Sequence, residues 1–121
     1  MKRDKITISE NTVIVTGGNV WMTEAEIVEL FGTTAVAVHT GGGIKAIFKE
    51  NALRDYEVCA CARLDSGNSA DVYNMEGVIA LAFRLNTYPA SVFRKWLVKR
   101  ATAARRTTPP IVIQYKDGLL N

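Results

Sequence analysis

Two rhythms of hydrophobic and polar positions alternate along this 121-residue chain, one extended and one helical. Thr12-Val13-Ile14-Val15-Thr16 is β-branched throughout, Gly17-Gly18-Asn19 supplies turn chemistry, and Val20-Trp21 resumes an apolar extended run. That pattern predicts a short N-terminal hairpin. From Thr23 the rhythm becomes helical, with Ile27, Val28, Leu30 and Phe31 on an apolar face and Glu24 and Glu29 outward. Thr23-Glu24-Ala25-Glu26 reads as a capping box, each end residue binding the other's backbone amide, and Met22 and Ile27 stand where a hydrophobic staple would close over it. Gly32 follows where a left-handed cap ends a helix of about nine residues.

Thr33 to Thr40 is a second short helical stretch that Thr33 or Thr34 can cap. Ile44-Lys45-Ala46-Ile47-Phe48-Lys49 has apolar residues at helical spacing, which predicts a helix continuing to about Leu53. Between them lies Gly41-Gly42-Gly43. Three glycines inside a helix cost about 1 kcal/mol each relative to alanine, so a break or a strongly weakened helix is expected there. Residues 57 to 64 and 69 to 74 flank Asp65-Ser66-Gly67-Asn68, predicting a second hairpin. Asn74 is placed to cap a helix from Met75 to about Asn86, whose apolar residues on nearly every side assign it to the core. Pro89 opens a last helix at a position where its missing amide costs nothing. There Arg94, Lys95, Lys99, Arg105 and Arg106 fall within an arc of about 140°, opposite Phe93, Trp96, Leu97, Ala101 and Ala104. Thr107-Thr108-Pro109-Pro110 ends it, and Ile111 to Tyr115 reads as a final strand or an ordered tail.

A capped short helix, a glycine turn, a second short helix and then a hairpin is the order of a winged helix-turn-helix. A glycine-containing turn sets the two helices at a steep angle, so that the second can enter the major groove while the first bridges the backbone. The expected fold is therefore α+β, a winged helix-turn-helix with an N-terminal β-hairpin, a β-hairpin wing and two C-terminal helices. Residues 1–106 form this domain and 107–121 a tail or strand. The expected core comprises Trp21, Ile27, Phe31, Ile47, Val78, Ile79, Leu81, Phe93, Trp96 and Leu97.

Composition changes this picture little: 48% hydrophobic and 22% charged residues are ordinary for a globular domain. Charge changes it more. Residues 1–76 carry 7 Lys/Arg and 11 Asp/Glu, a net of −4, whereas residues 77–121 carry 8 Lys/Arg against Asp117 alone, a net of +7. A basic patch of this kind suits a polyanion. Thr34, Ala35, Val36, His39 and Thr40 are the candidates for contact with base edges, and Lys45, Lys49, Arg63, Arg94, Lys95 and Lys99 for contact with phosphates.

Nothing converges as acid, base and nucleophile, so no enzyme is expected. His39, the single histidine, has no Cys, Asp or Glu at ligand spacing, and a groove or surface contact or a packed position suits it better than catalysis. Asp65 and Asp71 lack the partners of a nuclease site. The triple glycine follows a helix and lacks the Lys-Ser/Thr of a phosphate loop. Cys59 and Cys61, two apart, sit poorly for a mutual disulfide, and with one histidine cannot close a zinc site. Arg84 and Asn86 are placed to cap or pair internally. No cofactor and no small-molecule substrate are expected, and neither a signal peptide nor a membrane span is readable, which makes a cytoplasmic location the expectation. The expected partners are double-stranded DNA and a second copy in a homodimer; a protein-interaction module that keeps the fold without DNA is the rival, supported by the uncharged segment 33–40 and by Glu24, Glu26 and Glu29.

A resemblance adds to this. WMTEAEIVELFG at Trp21 to Gly32, IFKENAL at Ile47 to Leu53, VCA at Val58 to Ala60 and DVYNMEGVIALAFRLNTYPASVFRKW at Asp71 to Trp96 together resemble the RhuM family of bacterial virulence-associated proteins, over roughly residues 12 to 104. The most specific part surrounds Tyr73-Asn74, Ile79-Ala80-Leu81, Arg84-Leu85-Asn86 and Phe93-Arg94-Lys95-Trp96. The resemblance implies a DNA-binding protein linked to horizontally acquired DNA and a role in transcription regulation. The triple glycine departs from the family pattern, because it interrupts the segment that would be the recognition helix.

Overall fold

The computed structural model describes residues 2–107, with side-chain burial as far as Ala103. The expected strand at Ile111 to Tyr115 and the tail beyond Thr107 lie outside the described residues. So do the side chains of Arg105 and Arg106.

Strands β1 (Ile6–Ser9) and β2 (Thr12–Val15) pair antiparallel, Ser9 opposite Thr12 and Ile6 opposite Val15. The chain reverses through Glu10, at φ 54°, and Asn11. The N-terminal hairpin is thus displaced from its expected position: Thr12–Val15 is a strand, but Ile6–Ser9 and not Val20-Trp21 is its partner. Asp4 accounts for the difference. Its carboxylate accepts the Thr16 hydroxyl at 3.2 Å and the Asn19 amide at 2.8 Å, and its own amide donates to the Asn19 carbonyl at 2.9 Å. Gly17-Gly18-Asn19 therefore wraps around Asp4, and Trp21 is delivered to a different sheet.

That sheet has β3 (Trp21–Met22), β4 (Cys59–Arg63) and β5 (Ser69–Asn74) in the order β3-β5-β4, all antiparallel. Trp21 faces Asn74 and Met22 faces Tyr73 across one edge of β5, while Cys59 faces Tyr73 and Arg63 faces Ser69 across the other. The second hairpin stands as expected, except that Glu57 and Val58 belong to a helical turn the sequence pattern did not reveal, α4 (Asp55–Val58).

Helix α1 (Glu24–Phe31) carries the capping box in full. Thr23 Oγ1 accepts from the Glu26 amide at 3.1 Å, and Glu26 Oε1 accepts from the Thr23 amide at 2.9 Å. Gly32 ends it in the left-handed region at φ 61°, where an L side chain would be strained. After Thr33, Thr34 caps α2 (Ala35–His39) by accepting from the Ala37 amide at 3.1 Å. The glycine run interrupts the helix as expected, and α3 (Ile44–Lys49) starts afresh after it. It ends four residues short of Leu53, because Asn51 adopts φ 59° and its amide and that of Ala52 turn back onto the carbonyls of Phe48 and Ile47. Asn74 caps α5 (Met75–Ala82) by accepting from the Gly77 amide at 3.1 Å. This helix stops before the expected Asn86, since the guanidinium of Arg94 takes the carbonyls of Ala82 and Leu85 at 2.6 and 2.9 Å. Thr87 caps α6 (Tyr88–Thr107), with Pro89 in its first turn.

These elements make a small α+β domain around one core, in which Ile27, Phe31, Val38, Ile47, Val72, Val78, Leu81 and Phe93 are almost completely buried. Phe93 meets Phe31 edge-on at 5.6 Å between ring centres and stacks on Trp96 at 5.4 Å. Of the expected core, Trp21, Ile79, Trp96 and Leu97 are only partly buried, and Ile79, Trp96 and Leu97 form its margin. Val38, which the pattern did not single out, is fully buried and fixes which face of α2 turns outward. Among the described residues no helix is long and apolar enough to cross a membrane.

Candidate nucleic-acid interface

Helices α1 and α2 pack directly on each other, joined by Gly32 and Thr33, and α2 packs onward against α3. With Val38 turned into the core, Ala35, Val36 and His39 of α2 and the flanking Thr34 and Thr40 are each exposed. Val36 is the most prominent apolar group among these five candidates for base contact, at 67% exposure.

Local bonds fix the polar groups of this surface. The Thr34 oxygen serves as the cap, and the Thr40 hydroxyl donates to the Val36 carbonyl at 3.3 Å. Nδ1 of His39 lies 2.8 Å from Oε2 of Glu24 in the first turn of α1, and the same oxygen accepts from the Tyr73 hydroxyl at 3.4 Å. Burial, with the Cys59 thiol and Glu24 nearby, pushes Tyr73 well above the usual phenol range, so its hydroxyl stays a donor. Sequence reasoning missed this cluster, because Glu24 and His39 are 15 residues apart and Tyr73 another 34 beyond, and no spacing rule connects them.

The acidic side of α1 is compensated at Glu26. Arg3 holds Glu26 through two hydrogen bonds, at 2.6 and 3.1 Å. Burial pushes the Glu26 carboxyl up, but these bonds and the Thr23 amide outweigh it and hold the group below the usual carboxylate range. Glu24 faces His39, so Glu29 is the carboxylate of α1 that stands exposed without an ion pair among the described residues.

The six cation candidates separate. Lys45 and Lys49, one helical turn apart on α3, are exposed beside the glycine turn. Lys95 and Lys99 are exposed on α6, which packs on β1, β2, α1 and α5. Arg63, at the end of β4, donates to the Gly67 carbonyl at 3.3 Å and lines a groove of about 540 Å³ that it shares with Arg3, Trp21, Glu26, Leu30 and Asp65. Arg94 does not join them: its guanidinium closes α5, and the arc of charge expected on the last helix loses that member. Arg94→Gln should therefore cost about 1.5 to 3 kcal/mol, the range for hydrogen bonds from a charged donor, whereas Lys95→Gln should stay within about 0.5 kcal/mol. Urea denaturation of the two variants checks this directly.

Comparison with families of known proteins, with characterised proteins and with solved structures finds no match to this chain.

Two further arrangements bear on chemistry. Arg84 donates to the Gly42 carbonyl at 3.4 Å and to Glu50 Oε1 at 2.7 Å, tying the glycine turn and the end of α3 to the end of α5. The hydrogen bond and charge of Arg84 pull the Glu50 carboxyl below its ordinary range. Cys59 and Cys61 are both free thiols on β4; burial pushes the Cys59 thiol up, which disfavours the nucleophilic thiolate. Among the described residues no group of three or more His, Cys, Asp or Glu could hold a metal ion.

Proposed function

We propose that the chain binds duplex DNA as a winged helix-turn-helix, with α2 entering the major groove and the β4–β5 hairpin lying beside it as the wing. One observation carries this reading. The strand leading into α1 is hydrogen-bonded to the second strand of the hairpin, in the order β3-β5-β4, so that the helix pair and the hairpin form one unit while the outer side of α2 stays uncovered. The ion pair of Glu26 with Arg3 removes part of the repulsion that α1 would otherwise offer to a phosphate backbone. Lys45 and Lys49, on the helix next to α2, are suited to phosphates. The resemblance to RhuM proteins points the same way, and the proposed setting is a homodimer in the cytoplasm.

Mobility shift on random duplex DNA at low and moderate salt tests the reading. Lys45→Gln with Lys49→Gln should weaken binding to every sequence alike and reduce the log-log salt slope by about 1.8, at about 0.9 per lost phosphate contact. The pair Lys95→Gln and Lys99→Gln, compared in parallel, measures what α6 adds. Exposed Glu29 favours the second reading, a protein-interaction module on the same fold. That reading takes over if the parent chain binds no duplex even at low salt.

A further inference from the structure

The side of α2 that faces outward is short of the groups that usually read bases. Residues 34 to 40 contain no Arg, Lys, Asn or Gln, the residue types that make bidentate contacts with guanine or adenine. Its polar groups are already engaged: the Thr34 oxygen by the Ala37 amide, the Thr40 hydroxyl by the Val36 carbonyl, and Nδ1 of His39 by Glu24. Exposed methyl groups remain. Ala35 and Val36 are adjacent, and both are uncovered. A β-branched side chain left in water on a helix anchored in the core by Val38 gains by being covered.

The major groove offers one apolar group, the C5-methyl of thymine. We infer that this helix recognises duplexes by packing Ala35 and Val36 against pyrimidine C5-methyl groups, so that its preferred substrate is thymine-rich DNA and a 5-methylcytosine can stand in for thymine. The inference rests on the duplex-binding reading above and specifies what that surface discriminates. His39 Nε2 is the one ring nitrogen left for a polar contact, and it adds at most a single hydrogen bond beside the methyl contacts.

No target sequence is needed for the test. Binding of the full chain is measured by fluorescence anisotropy, at low salt, to four alternating duplex polymers: poly(dA-dT), poly(dA-dU), poly(dG-dC) and poly(dG-m5dC). The thymine polymer should bind more tightly than the uracil polymer by about fourfold for each methyl group buried, and methylation of cytosine should shift affinity in the same direction. Val36→Ser, a change at an exposed position, should narrow both ratios toward one, with circular dichroism reporting its fold. Equal affinity for methylated and unmethylated polymers overturns the methyl inference and leaves duplex binding standing. A ratio that survives Val36→Ser in a folded variant also overturns it, because the polymers would then be distinguished by their shape. Absence of binding to all four removes the duplex-binding reading and this inference together.

Discussion

Phe31→Ala is expected to destabilise the domain by about 3 to 5 kcal/mol, the range for truncating a buried aromatic side chain. The side chain is fully buried at the C-terminal end of α1 and meets Phe93 edge-on, and Phe93 in turn stacks on Trp96. The backbone at the same residue is also engaged, because the Phe31 carbonyl accepts the Thr87 hydroxyl at 2.7 Å. Side chain and main chain thus couple the first helix of the pair to the start of α6. Removing the ring leaves a cavity between two elements whose ends are fixed by Gly32 and Thr87, so the site has little freedom to collapse. At roughly 4 °C or more per kcal/mol for a domain near this size, the melting temperature should fall by at least about 12 °C. Tyr56→Ala, at a position 70% exposed, is the matching control and should stay within about 0.5 kcal/mol. A thermal melt unchanged by Phe31→Ala would remove the packing of α1 on α6 from this account.

Local chemistry was legible in the sequence wherever one short stretch contains the whole device. The capping box at Thr23 and Glu26, the left-handed Gly32, the Asn74 cap and the loop of the second hairpin all appear where the residue pattern puts them. What escaped was decided by residues far apart. Asp4 binds Thr16 and Asn19, which moves the first hairpin by one strand. Arg94 reaches back 12 residues to the Ala82 carbonyl, which shortens α5 and withdraws a cation from the surface. Periodicity placed Arg94 on the polar arc correctly; it could not tell that the end of another helix would lie against that arc. The candidate interface was legible in the same uneven way. The exposure of Val36, His39 and Thr40 follows from a period of 3.6 residues once Val38 is known to be buried, whereas that of Thr34 and Ala35 does not, and the Glu24, His39 and Tyr73 cluster depends on the packing of three elements. Much of the stretch from Asp71 to Trp96 bears on the fold: Asn74 caps, Arg84 holds the glycine turn, Phe93 fills the core and Arg94 closes α5.

Gly43→Ala should be the most damaging of the three alanine substitutions in the glycine run, at about 3 kcal/mol or more, the upper end for overpacking a filled site. A Cβ at residue 43 would stand 1.9 Å from the carbonyl oxygen of Val38 and 2.6 Å from that of Ala37, and both are backbone atoms that no rotamer change can move. Gly43 is also the residue whose carbonyl accepts the first amide bond of α3, from Ile47 at 2.9 Å. Relief of the clash therefore requires α2 and α3 to separate, which lifts Val38 and Ile44 out of the core together. At Gly42 the situation differs. A Cβ there meets open space, but φ is 88°, so Gly42→Ala costs only the strain of a left-handed backbone, about 1 to 2 kcal/mol. Gly41→Ala, with its Cβ 3.2 Å from the Val36 carbonyl, asks for a shift of a few tenths of an ångström and should be the mildest. Chemical denaturation of the three variants gives the order, and hydrogen exchange locates the damage: Gly43→Ala should expose the amides of α2 and α3 while those of Ile27 to Phe31 keep most of their protection. Equal stabilities for the Gly43 and Gly41 variants would mean that the close approach of the glycine turn to the end of α2 is absent. The outward side of α2 would then have no fixed orientation.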